Sequence, residues 1–322
     1  MSRDLARVGH VLALSGGVGG AKLAAGLAAV LPPERLTIAV NTGDDFEHMG
    51  LTICPDIDSV TYAMAGLNDR QRGWGVVDET WQMMAMLRQL GEPDWFNLGD
   101  RDLAMHLARS HGLRRGESLS AVTARLTAAL GITHAVVPMS DDPVRTQVQT
   151  EAGWLDFQRY FVAEQCRPAV SAIRFAGTPG ARPSAGLAAA LARPDLAAVV
   201  LCPSNPFLSV DPILAVDGLR HALARLTVPR IAVSPLVGGK SLKGPLGKLL
   251  GELGLENSNR AITCHYAGLI DWLVIDSADS ADALALQADR MGVHVTATVM
   301  HDIAHQTRLA QEVLGIAGLS VE

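Results

Sequence analysis

Five short clusters hold the residues whose types and spacing could do chemistry. The first is Ser15-Gly16-Gly17-Val18-Gly19-Gly20-Ala21-Lys22, directly after the apolar run Val11–Leu14. Four glycines let a backbone approach a ligand closely, and a helix opening there offers free N–H groups and about +0.5 charge to an anion. Gly16, Gly17, Gly19, Gly20 and Lys22 are therefore candidate phosphate contacts; the plainer alternative is a tight strand-to-helix turn. The spacing is not a Walker A loop, because Ala21 stands where a glycine should precede the lysine and Leu23 replaces Ser/Thr. The dinucleotide fingerprint also fails, since Gly17-Val18-Gly19 meets Lys22 where its third glycine belongs.

The second cluster is Asn41-Thr42-Gly43-Asp44-Asp45, with His48 and then Pro55-Asp56-Ile57-Asp58. Carboxylates at the carboxyl end of a strand, beside a phosphate cradle, are reasonable if Mg²⁺ lies between them, because hard cations take oxygen ligands. Asp44, Asp45 and Asp56 are the candidate metal ligands, and Asp44 and Asp45 the candidate catalytic pair. The alternative is a solvated acidic loop in which Asp58 caps a helix over Ser59–Ala65.

Three further clusters follow. Trp95-Phe96-Asn97-Leu98-Gly99-Asp100-Arg101-Asp102 precedes His106; Asp100 could contact a ligand or cap a helix over Arg101–Arg109, and the aromatics could meet a ring or fill a core. Met139-Ser140-Asp141-Asp142-Pro143 and Pro203-Ser204-Asn205-Pro206 place small polar groups in rigid turns, with Ser204 and Asn205 as nucleotide contacts or Asn205 as an Asx-turn. Ser234-Pro235-Leu236-Val237-Gly238-Gly239-Lys240 runs on to Lys243, and Gly238, Gly239 and Lys240 suggest a second anion site. No GxSxG or HExxH pattern is present, so the histidines read as packing or solvated groups.

Positioning these loops falls to alternating strands and helices. Val11–Ser15, Leu36–Asn41, Ala135–Met139, Ala198–Pro203, Arg230–Pro235, Trp272–Asp276 and Val293–Val299 are too short for helices and read as buried strands. Helical spacing covers Ala21–Leu31, Glu79–Gly91, Ser118–Leu130, Ser184–Ala192, Val216–Leu226, Ala281–Met291 and Ile303–Leu314. The pattern predicts an α/β fold with a mostly parallel sheet covered on both faces. Gln147–Thr150 and Trp154–Gln158 add a β-hairpin, and a helical insertion spans about 74–130 of a single domain over 1–322. All five loops then share one crevice, suited to a ligand with a diphosphate and a flat ring.

Composition narrows the class. Of 322 residues, 48% are hydrophobic and 19% charged, which excludes disorder, and the net charge of −6 leaves no basic field for nucleic acid. No apolar run reaches a membrane-spanning length, and the region around Arg3, Asp4 and Arg7 makes a poor signal peptide. Cys54, Cys166, Cys202 and Cys264 form no CxxC pair and read as reduced thiols of a cytoplasmic protein.

Taken in order, the glycine loop, Asn41–Asp45, Pro55–Asp58, Leu98–Asp102, Pro138–Asp142, Pro203–Pro206 and Ser234–Gly239 resemble the CofD/FbiA family, the 2-phospho-L-lactate transferases of coenzyme F-420 biosynthesis. The resemblance runs from about Val11 to the final helix. It implies a Rossmann-like fold, Mg²⁺ dependence and a homodimer. It also implies transfer of a phosphorylated small acid (phospholactate, phosphoenolpyruvate or phosphoglycerate) from a guanosine-diphosphate-linked donor to the ribityl hydroxyl of the deazaflavin Fo, releasing GMP. Deazaflavin contacts in the family fall on the positions of Asp58 and Asn97, and Asp100 joins them here. Such chemistry needs positioning and charge neutralisation more than covalent catalysis. Asp44, Asp45 and Asp58 are the candidates for accepting the hydroxyl proton. The competing reading is a non-catalytic nucleotide-sugar-binding regulator of the YvcK type, which would share the glycine loop and the carboxylate after the second strand.

Overall fold

Seven short runs of Val, Ile, Leu and Ala become the central sheet of a computed structural model that describes residues 9–242, 244–289 and 291–320. They are β1 (His10–Ser15), β2 (Leu36–Val40), β3 (Ala135–Pro138), β4 (Leu196–Leu201), β5 (Arg230–Val233), β6 (Trp272–Asp276) and β7 (Gly292–Thr296). Their order is β7-β6-β5-β4-β1-β2-β3, and every neighbouring pair is parallel. The direction of winding reverses between β1 and β4, which makes the carboxyl ends of those two strands the topological switch point. The expected Rossmann-like α/β architecture is what forms.

Alternation along each strand divides the core in two. Leu12 and Leu14 of β1 point to one face with Val199 and Leu201 of β4, while Val11 and Ala13 point to the other with Ala198 and Val200. Helices α1 (Gly17–Val30) and α2 (Pro55–Met64) cover the second face together with the C-terminal helix Ile303–Ile316. Because both faces are covered, the strands read as unbroken apolar runs.

The insertion contains α3 (Gln82–Leu90), α4 (Asp100–Arg114) and α5 (Leu119–Ala129). Residues 74–81 precede it as irregular chain where helix was expected. Ile53, Met84 and Leu98 form a small separate core there, joined by Phe46, Trp81 and Phe96, so the short hairpin Phe46–His48/Leu51–Ile53 belongs to this unit. That short hairpin was not expected from the sequence; the one that was forms as Arg145–Thr150 with Gly153–Asp156 and gains a third antiparallel strand, Ala172–Ala176.

Boundary differences have local causes. α1 starts at Gly17, four residues before the apolar spacing begins, and α2 starts at Pro55, where a proline loses no helical hydrogen bond. The helix expected over Val216–Leu226 shortens to Leu219–Ala224 because Gly218 adopts a positive φ of 73°. All four cysteines are free thiols. Among the described residues no helix is long and apolar enough to cross a membrane.

Candidate functional site

The loop after β1 meets the loop after β4 at the switch point. Ser204 Oγ accepts from the Gly16 amide at 3.2 Å and donates to the Gly16 carbonyl at 2.8 Å, so Ser204 clamps the glycine loop. Gly17 has φ of 64°, a left-handed conformation that favours glycine, and its amide donates to Asp56 Oδ1 at 2.7 Å. Gly19 and Gly20 have a different reason to be glycine than the sequence suggested. A Cβ on Gly19 would collide with the Pro203 carbonyl, and one on Gly20 would lie 2.5 Å from Ser204 Oγ. Their missing side chains make room for the β4 loop. No side chain caps α1, and among the described residues none accepts from the Val18 or Gly19 amide, so this first turn retains its capacity for an anion. Lys22 Nζ donates to the Met300 carbonyl at 2.7 Å.

Beside this turn lies a buried acidic crevice. Asn41 organises it: its Oδ1 accepts from the Gly43 amide at 2.8 Å, and its Nδ2 donates to Asp56 Oδ2 at 2.9 Å and to the Leu208 carbonyl at 3.3 Å. Asp44 and Asp45 are buried, and Oδ1 of each has no hydrogen-bond partner. Burial, reinforced by Asp56, pushes the Asp44 carboxyl well above its usual range. Burial pushes Asp45 up to about 7 despite the opposing charge of Arg145, and Asp56 up to about 6. Buried carboxylates with orphaned oxygens and raised proton affinity fit a divalent cation, which would supply both the missing ligand contacts and the missing charge. Asp56 differs from the other two, because both of its oxygens are already engaged by Gly17 and Asn41.

Asp58 neither caps a helix nor lies open. It sits inside the first turn of α2, where the fully buried Arg109 of α4 donates to both its oxygens, at 3.1 Å from Nη1 and in a shorter contact from Nη2. His106 lies between two carboxylates, with Nδ1 3.6 Å from Asp58 and Nε2 3.3 Å from Asp102. Tyr62 Oη donates to Asp102 at 2.5 Å. Burial opposes the ionised form of Asp102, but the contacts from His106 and Tyr62 outweigh it and hold the carboxyl below its usual range. Reading the histidines as mere packing groups missed this network. Its signal was the paired spacing of Asp58 with Tyr62 and of Asp102 with His106, each four residues apart and so on one helical face.

The remaining expected contacts resolve mainly as scaffold. Asp100 caps α3 rather than its own helix, accepting from the Gln82 and Met83 amides at 3.1 Å and from the Thr80 hydroxyl. Glu79 reciprocates by accepting from the Arg101 and Asp102 amides at 2.7 Å. Asn97 is exposed and accepts from Arg88 at 3.3 Å. Trp95 and Phe96 pack with Phe46 and His48 rather than standing free. Asn205 forms the Asx-turn, accepting from the Phe207 and Leu208 amides. The Gly238 and Gly239 amides, expected to hold a ligand anion, instead hold both oxygens of Asp279, at 2.9 and 2.7 Å. Lys240 is exposed beside them, and Lys243 lies outside the described residues. A narrow cleft with an accessible volume of about 20 Å³, lined by Val18, Lys22, Ser59, Tyr62 and Trp74, opens beside the first turn of α1.

This arrangement has known counterparts. The family model described as 2-phospho-L-lactate transferase CofD matches residues 11–316. The chain belongs to the CofD family. It is 38% identical over 315 residues to a phosphoenolpyruvate transferase of Kitasatospora aureofaciens, covering 96% of this chain and 98% of that protein. It is 37% identical over 308 residues to a 2-phospho-L-lactate transferase of Methanosarcina acetivorans, covering 95% and 98%. A crystal structure of a UPF0052-family protein from Bacillus halodurans shares the fold, with a TM-score of 0.62, 16% identity and coverage of 95% and 98%. Family membership over nearly the whole length makes this CofD-family chain an enzyme that transfers a phosphorylated group.

Proposed function

We propose that this CofD-family chain is a Mg²⁺-dependent transferase of coenzyme F-420 biosynthesis. It moves a phosphorylated three-carbon acid from a guanosine-diphosphate-linked donor to a ribityl hydroxyl of the deazaflavin Fo. The hydroxyl oxygen forms the new bond to the phosphorus that carries the acid, the bond to the GMP oxygen breaks, and the hydroxyl proton leaves to a base. The carrying observation is the pair of buried aspartates, Asp44 and Asp45, whose unpartnered oxygens lie at the switch point beside the uncapped first turn of α1. Asp44 and Asp45 would hold the cation, which when bound neutralises diphosphate charge. Asp56 supports them by fixing the Gly17 amide, while the Val18 and Gly19 amides are the candidate phosphate donors.

Relatives named for phosphoenolpyruvate and for 2-phospho-L-lactate are almost equally similar, at 38% and 37% identity, so similarity does not choose the acid. The test is incubation of the protein with Fo, Mg²⁺ and each guanosine-diphosphate-linked acid in turn, with the products weighed by mass spectrometry. The proposal expects Fo to gain one phosphorylated acid, with release of one GMP, for at least one donor.

A further inference from the structure

Arg109 is the one Arg or Lys side chain among the described residues that is buried, at 1% exposure, and it stands among carboxylates that are buried too: Asp45, Asp58 and Asp102. We infer that Arg109 is a positioning residue for the acceptor side of the site, locking the helical insertion to α2 so that the cleft wall carrying Tyr62 is held in place. This rests on the transferase reading above and adds a specificity element to it.

The geometry is a two-sided clamp on the first turn of α2. On one side Asp56 accepts from the Gly17 amide and so fixes the glycine loop. Two residues later, Asp58 accepts from both Nη atoms of Arg109. The same guanidinium donates to the Thr52 carbonyl at 3.3 Å and lies 3.2 Å from His106 Nδ1. It thereby joins α2, α4 and the hairpin that packs with the insertion. The chain of contacts continues through His106 and Asp102 to the Tyr62 hydroxyl, and Tyr62 lines the cleft with Ser59 and Trp74. With the donor diphosphate on the glycine-loop side, the adjoining wall of α2 and Trp74 is the one assigned here to the flat acceptor.

A metal-site reading is weaker. Ligand atoms of Asp58, Asp102 and His106 lie within 4.8 Å of one another and could suit a metal ion. However, Arg109 already contacts both Asp58 oxygens and His106 Nδ1, so its own charge already neutralises Asp58 and engages these ligand atoms. A lysine could supply the charge but could not span Asp58 and Thr52 as a planar fork does.

The test compares wild type with Arg109→Gln, Arg109→Lys and Tyr62→Phe, measuring kcat and the KM of acceptor and of donor separately, with GDP and Fo binding by calorimetry. The inference expects Arg109→Gln to raise the acceptor KM at least tenfold while donor KM and GDP affinity stay within twofold, and Arg109→Lys to give no rescue. Tyr62→Phe keeps the ring and the fold and tests the cleft wall even if Arg109 variants do not fold; it should raise the acceptor KM about threefold. Folded Arg109 variants, or Tyr62→Phe if those do not fold, with a lowered Tm but unchanged acceptor KM and Fo affinity would overturn the inference, leaving a purely structural ion pair. An inactive wild type that binds no Fo would reject the transferase reading and the inference with it; an active wild type with unaffected variants would reject the inference alone.

Discussion

Replacing Asp45 with Asn should make the metal-free protein more stable, not less. Burial raises the Asp45 carboxyl from 3.8 to about 7, and each factor of ten in proton affinity is worth about 1.4 kcal/mol. Ionised Asp45 therefore costs the folded state about 4 kcal/mol. The sign follows from linkage: the folded state binds the proton more tightly than the unfolded chain. Stability contributed by this group is full below pH 3.8 and is lost as pH rises through about 7. Asp44 and Asp56 push in the same direction. In chelator at pH 8, Asp45→Asn should exceed wild type by up to about 4 kcal/mol, and by less than half of that at pH 5, where folded Asp45 is already protonated. Mg²⁺ at 100 times its Kd should add about 2.7 kcal/mol to wild type and much less to the variant. Urea unfolding followed by tryptophan fluorescence at both pH values, with and without Mg²⁺, reads all four numbers. A variant no more stable than wild type at pH 8 in chelator would refute the burial argument, and equal stabilisation of both by Mg²⁺ would refute the cation assignment.

Gly17→Ala meets open space, with nothing nearer than Ser209 Oγ at 3.8 Å, so melting should show only the left-handed strain of about 1 kcal/mol. Gly19→Ala collides with the Pro203 backbone and should lose more, about 1–3 kcal/mol; the reverse order would mean that the β1 and β4 loops do not pack as described. Asp100→Ala removes the cap of α3 and should cost about 1 kcal/mol with the acceptor KM unmoved, whereas a folded variant with a tenfold higher acceptor KM would return Asp100 to the ligand site.

The five inner strands were legible because each is a short apolar run buried on both faces, and the run itself is the signal; the edge strands β3 and β7 are less buried but keep the same short valine-rich runs. The third strand of the small sheet, Ala172–Ala176, was not, since its Ile173-Arg174-Phe175 alternation is brief and its partner lies over twenty residues away. Among site residues, Asp44 and Asp45 could be named from their place after β2, yet which carboxylates keep a free oxygen depends on Asn41 and Gly17, contacts no spacing encodes. Asp100 was readable as a cap, but for the wrong helix: Glu79 and Asp100 exchange caps across twenty-one residues of chain. α4 hid its role because its buried face carries Asp102, His106, Arg109 and Ser110 in place of an apolar stripe. Gly238 and Gly239 looked like an anion nest and are one, filled by the chain's own Asp279.

The most direct measurement is the transfer reaction itself, run with saturating Fo and a guanosine-diphosphate-linked acid and followed for both products by mass spectrometry, with Mg²⁺ present and then chelated. Equal molar yields of GMP and of Fo carrying the phosphorylated acid are expected, abolished by chelator and restored by added Mg²⁺, and nearly absent in Asp45→Asn. Turnover that persists in excess chelator, or binding of nucleotide sugars with no transfer to Fo from any donor, would contradict the proposed function.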